Sequence, residues 1–326
     1  MRAIVCSQPG GPEVMQWLEV EDPIPGVDEV LIDVAAVGLN RADVLQRKGF
    51  YPPPPGASNY LGLECSGVIS AVGANVTAWK IGDQVCALLT GGGCAEKVVV
   101  PAGQLLPVPA GVSLIDASAL PEIAATVWSN VAMLAHLREG ETILIHGGTS
   151  GIGTMAIQVA RQLGARVIVT CGTQVKVQAA LDLGADFAIN YTQSDFADEV
   201  NTITQGKGVD VILDVMGAKY LQSNVASLAA NGRLVVIGLQ GGTKGEIDLN
   251  RLLSKRAAVL ATSLRMRPVA EKAAIIDSVR EHLWPLIESG TIKLVIDHYF
   301  PIEQIAQAHE RMEASQHIGK IVLTLH

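Results

Sequence analysis

The sequence predicts an α/β protein in which a β-rich, barrel-like part is joined to a parallel sheet wound with helices. Three observations predict it. Up to about residue 122, short alternating runs such as 29–37 (EVLIDVAAV) and 67–72 (GVISAV) are separated by glycine and proline turns. From about residue 123 to about residue 265, apolar β-type runs alternate with helical patterns, the order that buries a parallel sheet under helices on both faces. The glycine-rich stretch 146–153 (HGGTSGIG) follows a β-branched run and opens a helical pattern.

In chain order the expected strands of the second part are 142–145, 166–170, 187–189, 209–215, 233–237 and 259–262, with helices over 154–163, 175–183 and 195–204. Beyond residue 265 the pattern becomes a long amphipathic helix over 269–289, a segment 293–300, a helix over 302–312 and a last strand over 320–325, punctuated by Gly290 and Pro301. A stretch as short as 266–326 cannot bury a core of its own, so it is expected to return and complete the first part. The expected divisions are therefore 1–122, 123–265 and 266–326.

Composition narrows the function. The net charge of −8 and the lack of any Lys/Arg-rich run argue against nucleic acid as a primary ligand. No apolar stretch approaches the length of a membrane span, and the opening MRAIVCSQPGG has no signal-peptide core. Five scattered cysteines, none spaced for zinc, fit a reducing cytoplasmic setting. Small molecules are the expected partners.

A strand, a glycine turn and a helix in that order can hold a dinucleotide pyrophosphate, because the glycines admit the ligand to the backbone and the helix end offers unpaired N–H donors. The fingerprint positions here are Gly148, Ser150 and Gly153, so one glycine is replaced. The second strand runs ARVIVT into Cys171, Gly172 and Thr173 with no acid before Asp182, whereas an NAD site ends this strand with a carboxylate for the ribose. Lys176 opens the next helix and Tyr191 follows the next strand. Taken singly, Lys176 also reads as a solvated lysine and Tyr191 as an ordinary strand-end aromatic. With the acid missing they favour a 2′-phosphate, hence NADPH over NADH. His146, at the end of a buried strand, reads as a packed residue.

Several segments carry a family resemblance: VGLNRADVLQRKGFYPPPPGASNYLGLECSGVI (37–69), WKIGDQVCALLTGGGCAEKV (79–98), LPEIAATVW (120–128), the glycine turn, NYTQSDF (190–196) and HIGKIVL (317–323). On these the chain resembles the zinc-free quinone oxidoreductases of the medium-chain dehydrogenase/reductase superfamily, and among them is most similar to the p53-inducible quinone oxidoreductase subgroup. The resemblance implies a GroES-like β-barrel catalytic domain fused to a Rossmann domain, and a homodimer formed through the sheet edge near 259–262. It implies that Asn40, Asp43 and Tyr51 line the substrate side, and that Thr126 lies near the nicotinamide carboxamide. The backbone of Gly238 to Gly241 and of Thr262 to Arg265, Leu264 included, would flank the nicotinamide half, while Ser150, Gly151 and Ile152 would face the pyrophosphate.

Departures from the zinc-dependent branch point the same way. Asn40 stands where that branch has a cysteine ligand, Gly62-Leu63-Glu64 replaces Gly-His-Glu, and Cys86 and Cys94 are alone where it has a four-cysteine lobe. A catalytic zinc needs about three protein ligands, and adjacent Glu64 and Cys65 point to opposite faces of a strand. No metal is expected. A quinone, or an enone, accepts hydride without one because conjugation spreads the developing charge, leaving the protein to position donor and acceptor. The expected activity is NADPH-dependent quinone reduction, with enone double-bond reduction and non-catalytic NADPH binding as alternatives. At an ordinary pKa near 4, Asp43 would be ionised.

Overall fold

The computed structural model describes residues 1–325. Its first strands are β1 (Arg2–Cys6), β2 (Met15–Glu19), β3 (Glu29–Leu39), β4 (Glu64–Val72), β5 (Gln84–Leu88), β6 (Lys97–Pro101) and β7 (Leu105–Pro107). There follow β8 (Thr142–His146), β9 (Arg166–Cys171), β10 (Phe187–Asn190), β11 (Val209–Asp214), β12 (Leu228–Val236) and β13 (Ala258–Ala261), and finally β14 (Ile296–Pro301) and β15 (Lys320–Thr324). The chain forms two units, Met1–Ala125 with Leu264–His326, and Thr126–Ser263.

In the first unit β3 is the organising strand. Val30, Ile32 and Val34 alternate inward onto a core with Ile69, Val85, Val98 and Leu105, the pattern of a sheet with one buried face. One edge of β3 pairs antiparallel with β4; along the other, β6 covers Glu29 to Asp33 and β15 covers Ala36 to Leu39. The return of the tail is thus made through β15, which also pairs parallel with β14. Gly67 permits the close crossing of β4 over β3, since a Cβ there would lie 2.1 Å from the Asp33 carbonyl oxygen.

The second unit is a six-stranded parallel sheet in the order β10-β9-β8-β11-β12-β13. This is the order of doubly wound dinucleotide-binding folds, whose ligands lie beyond the carboxyl ends of the strands where the order reverses beside β8. Leu144, Ile168, Ile212 and Leu234 are buried in the sheet, as covering on both faces requires. β10 and β13 are the two edges, and Val259 on β13 is exposed.

β12 begins at Leu228, ahead of the expected 233, and two expected helices are built differently. The helix read over 269–289 is two helices, Val269–His282 and Trp284–Glu288. Pro285 has no N–H for the Glu281 carbonyl and its ring would strike it, so the first helix stops and Pro285 opens the second in its first turn. The helix read over 302–312 begins with a tight 3-10 turn, Ile302–Gln304, before Ile305–Glu313. Among the described residues no helix is long and apolar enough to cross a membrane.

Candidate active site

The turn after β8 is built by contacts that only glycine allows. A Cβ on Gly148 would lie 2.6 Å from Val169 Cβ, and one on Gly153 would lie 2.2 Å from the Gly147 carbonyl oxygen. These two glycines therefore let the helix Gly151–Gln162 approach the sheet. Ser150 has another duty: its Oγ accepts from the Gly153 N–H at 3.0 Å and donates to the Gly147 oxygen at 2.9 Å, capping the helix. The cap starts the helix at Gly151, ahead of the expected 154. Among the described residues the N–H groups of Gly151 and Ile152 have no protein acceptor, so two donors at the positive end of the helix remain for an anion. His146 is buried, bonded to Thr170 at 3.0 Å and Asn224 at 2.7 Å, and burial pushes its pKa down to about 4. It is a neutral pin behind the turn.

At the ends of β9 and β10 the structure brings four expected residues together. Thr173 caps the helix Gln174–Asp182 through the Lys176 N–H at 3.3 Å, which fixes where that lysine stands. The phenol oxygen of Tyr191 lies against Gly172, where a Cβ would approach it to 2.5 Å. The Lys176 ammonium acts on the Cys171 thiol, although burial dominates and pushes that thiol up to about 11. An ammonium, a phenol and a threonine at a helix start, with no carboxylate among them, form a suitable corner for a phosphate.

Gly238 follows β12 and packs on β11: a Cβ there would lie 2.9 Å from the Val215 oxygen, which also accepts from the Gln240 N–H at 3.1 Å. Thr126 opens the second unit, buried, and its carbonyl accepts from Asn130 Nδ2 at 2.8 Å. Asn130 lies in a wide π-type turn, Trp128–Leu134, and its Oδ1 accepts from Thr262 Oγ1 at 2.6 Å beyond β13. Leu264, grouped with these residues by resemblance, falls in the first unit.

In the first unit Asn40 follows β3 and takes the N-cap position of the helix Arg41–Arg47, its own side chain making no capping bond. Asp43 at its third position accepts from the Asn40 N–H at 2.8 Å and the Gly62 N–H at 2.9 Å, and has no exposed surface. It ties the helix to the Gly62 loop. Burial pushes its carboxyl up to about 6, against the two N–H donors and the charges of Lys320 and Arg265, so the ordinary value assumed from sequence does not hold. The folded chain holds this proton more tightly than the unfolded one. The group's contribution to stability is therefore full below about pH 4 and lost as pH rises through about 6. Asp43→Asn is expected to remove a decline of about 2–3 kcal/mol between pH 4 and 7. The variant will be less stable throughout, since one N–H donor then meets an amide NH2; urea midpoints across that pH range, unchanged in slope from the parent protein, would refute the assignment.

Sequence reasoning missed the centre of this network. Glu64, fully buried on β4, accepts from Lys320 Nζ at 2.5 Å, Asn40 Nδ2 at 3.0 Å and the Glu122 N–H at 2.9 Å. Lys320 completes its valence with the Leu39 oxygen at 2.9 Å and Asn40 Oδ1 at 2.7 Å. Of Arg265 only the backbone was expected near the site; the side chain was missed, its guanidinium lying 5.2 Å from the centre of the Tyr51 ring and donating to the Tyr51 carbonyl at 3.2 Å. The signal available was a charge inside an apolar run: Glu64 between Leu63 and Cys65, Lys320 before Ile321 and Val322. A zinc ion does not fit this set, because an ammonium already stands against the Glu64 carboxylate and Asn40 offers only an amide. Among the described residues no three His, Cys, Asp or Glu side chains are grouped to hold a metal.

Residues 26–110 match the alcohol dehydrogenase GroES-like domain, and residues 151–280 match the zinc-binding dehydrogenase family. The quinone oxidoreductase of Rattus norvegicus is 32% identical over 328 residues, spanning 100% of this chain and 98% of the relative. A 2-haloacrylate reductase from a Burkholderia species is 31% identical, with 98% of each chain covered. The crystal structure of Escherichia coli quinone oxidoreductase complexed with NADPH superposes with a TM-score of 0.89 at 29% identity, covering 99% of this chain and 100% of that one. Alike in both units and over its full length, the chain belongs to the quinone oxidoreductase-like family of the medium-chain dehydrogenase/reductase superfamily.

Proposed function

We propose that the protein is an NADPH-dependent, zinc-independent quinone reductase, of the p53-inducible subgroup by its Tyr51 loop and glycine turn. The observation that carries the cofactor preference is the corner of Gly172, Thr173, Lys176 and Tyr191, cationic and without a carboxylate. Its relatives include quinone oxidoreductases, one of them crystallised with NADPH. A bound NADPH supplies hydride from its nicotinamide ring. The chain's own part is to donate the Gly151 and Ile152 N–H groups to the pyrophosphate, place Lys176 and Tyr191 at the 2′-phosphate, and present the backbone at Thr126 and Gly238 to the nicotinamide half. On the substrate side, Arg265 fixes Tyr51 so that its ring can lie along a planar acceptor. Asn40 and Asp43 act by holding the helix and loop beside it rather than by donating a proton. We place the enzyme in the cytoplasm as a homodimer paired through the exposed edge at β13.

A second reading, reduction of an alkene conjugated to a carbonyl, is favoured by the 2-haloacrylate reductase relative. NADPH oxidation with 1,2-naphthoquinone, 1,4-benzoquinone, a linear enone and a simple aldehyde, repeated with NADH and with metal content measured, separates the two. Turnover of quinones supports the first reading, and turnover of the enone alone replaces it with the second. Lys176→Ala is expected to raise the KM for NADPH by roughly 10- to 100-fold, the worth of one charge-assisted contact, with little change for NADH. Equal effects on both cofactors would remove Lys176 from the phosphate corner.

A further inference from the structure

Charges withdrawn from water in a folded protein are ordinarily matched by an opposite charge. The first unit holds two cations with no carboxylate in ion-pair contact, Glu122 acting on both, and Asp43 on one, only from beyond that distance. Arg265 is 4% exposed and Lys272 3%, and among the described residues neither forms an ion pair. Arg265 donates Nε to the Thr90 oxygen at 2.8 Å and Nη1 to Tyr51, but its Nη2 has no hydrogen-bond partner. Lys272 donates to Thr90 Oγ1 at 2.6 Å and to the Arg265 oxygen at 3.3 Å, which leaves its third N–H without an acceptor. The carboxylates that act on Arg265 from nearby are Asp43 and Glu122, and Asp43 is engaged by two backbone donors. Burial holds both cations below their ordinary pKa; at Lys272 the Glu122 carboxylate opposes this, and Arg265 works against Glu122.

Both residues line a cavity of about 590 Å³. Gly91 shares that wall, close enough that a Cβ there would lie 3.3 Å from Arg265 Nη2. Gln104, buried, also lines it with an Oε1 that receives no hydrogen bond. The helix Val269–His282 starts at the same wall, and the N–H groups of Val269, Ala270 and Glu271 have no acceptor among the described residues. The Glu271 side chain is turned away to Arg267 at 3.0 Å. Pro54, Pro55, Leu89, Val98 and Val100 give part of the cavity an apolar surface, and the lining also includes the charged Glu21, Glu29, Lys97 and Arg267.

We propose that this cavity is a binding site for a small organic carboxylate, its charge held by Lys272, the free edge of Arg265 and the start of the helix, and its apolar body held by the proline and valine wall. The site stands whether or not the acceptor is a quinone. A carboxylate borne by the reducible acceptor and a separate carboxylate ligand share this chemistry.

Benzoate, its neutral isostere benzamide and inorganic phosphate serve as probes on the native chain, by calorimetry and by amide shifts at Val269 and Ala270. Benzoate is expected to saturate one site with a Kd below about 1 mM, with benzamide at least about tenfold weaker for want of the charge. Lys272→Met should weaken benzoate at least about tenfold while Lys272→Arg retains it. Benzoate that raises the KM of an acceptor without altering kcat identifies the site as the acceptor's own; benzoate that binds without changing that KM identifies a separate ligand. Equal affinity for benzoate and benzamide in the native chain overturns the proposal, even if Lys272→Met fails to fold. Undiminished benzoate binding by a folded Lys272→Met overturns it too.

Discussion

Lys320→Met is expected to destabilise the first unit by about 3–5 kcal/mol, the loss seen when one member of a buried ion pair is removed. The size follows from what is left behind. The Glu64 carboxylate would remain fully buried with only the Asn40 amide and the Glu122 N–H as donors, and the Leu39 oxygen and Asn40 Oδ1 would lose their ammonium. Methionine matches the lysine stem in length, so the loss is electrostatic rather than a cavity. Glu64→Gln should be costly as well, because the Lys320 ammonium would then be buried among neutral acceptors only. The double variant should be more stable than the sum of the two single losses. Chemical denaturation followed by tryptophan fluorescence measures this, since Trp17, Trp79 and Trp284 all lie in the first unit. A change under about 1 kcal/mol for Lys320→Met would mean that water reaches the pair and that it is worth no more than a surface contact.

Gly153→Ala should act in the second unit, and through the backbone rather than through charge. The new methyl would lie 2.2 Å from the Gly147 oxygen and 2.5 Å from the Gly148 carbonyl carbon, neither of which can rotate away as a side chain would. The helix Gly151–Gln162 must lift from the sheet, carrying with it the Gly151 and Ile152 donors. Overpacking of this kind costs about 2–3 kcal/mol, or roughly 30- to 150-fold in affinity for a dinucleotide bound at that helix end. Ser150→Gly should be mild by comparison, since glycine replaces a capping oxygen at a few tenths of a kcal/mol. Fluorescence titration with NADPH, paired with thermal melts, distinguishes the two variants. Parent-like NADPH affinity in Gly153→Ala would show that the ligand does not use this turn.

What the sequence made legible was local. The glycine turn is visible because close helix–sheet approach forbids a Cβ at particular positions, and the corner of Gly172, Thr173, Lys176 and Tyr191, proposed for a phosphate, drew notice because an acid is absent from one strand end. The network around Glu64 was not visible, because Glu64 and Lys320 are 256 residues apart and each looks like an ordinary charge beside its neighbours. The part played by the Arg265 side chain was hidden for the same reason, its partner Thr90 lying 175 residues earlier. The break at Pro285 was missed because the amphipathic period continues through it: Trp284 and Ile287 are buried like Ile276 and Val279 before them. Periodicity reports which face is inward, while the missing N–H decides whether one helix or two carry that face.

The placement of β15 sets an order of assembly. Residues 126–263 are contiguous and can close their sheet as soon as they have been synthesised, but the Ala36 to Leu39 edge of β3 has no partner until residues 320–324 exist. Through most of its synthesis the chain therefore carries an apolar strand with open N–H and C=O groups, a template for pairing with another chain. Chains ending short of residue 320 should accordingly keep a folded nucleotide-binding half and collect as aggregates through the other, which makes the final strand a checkpoint on solubility.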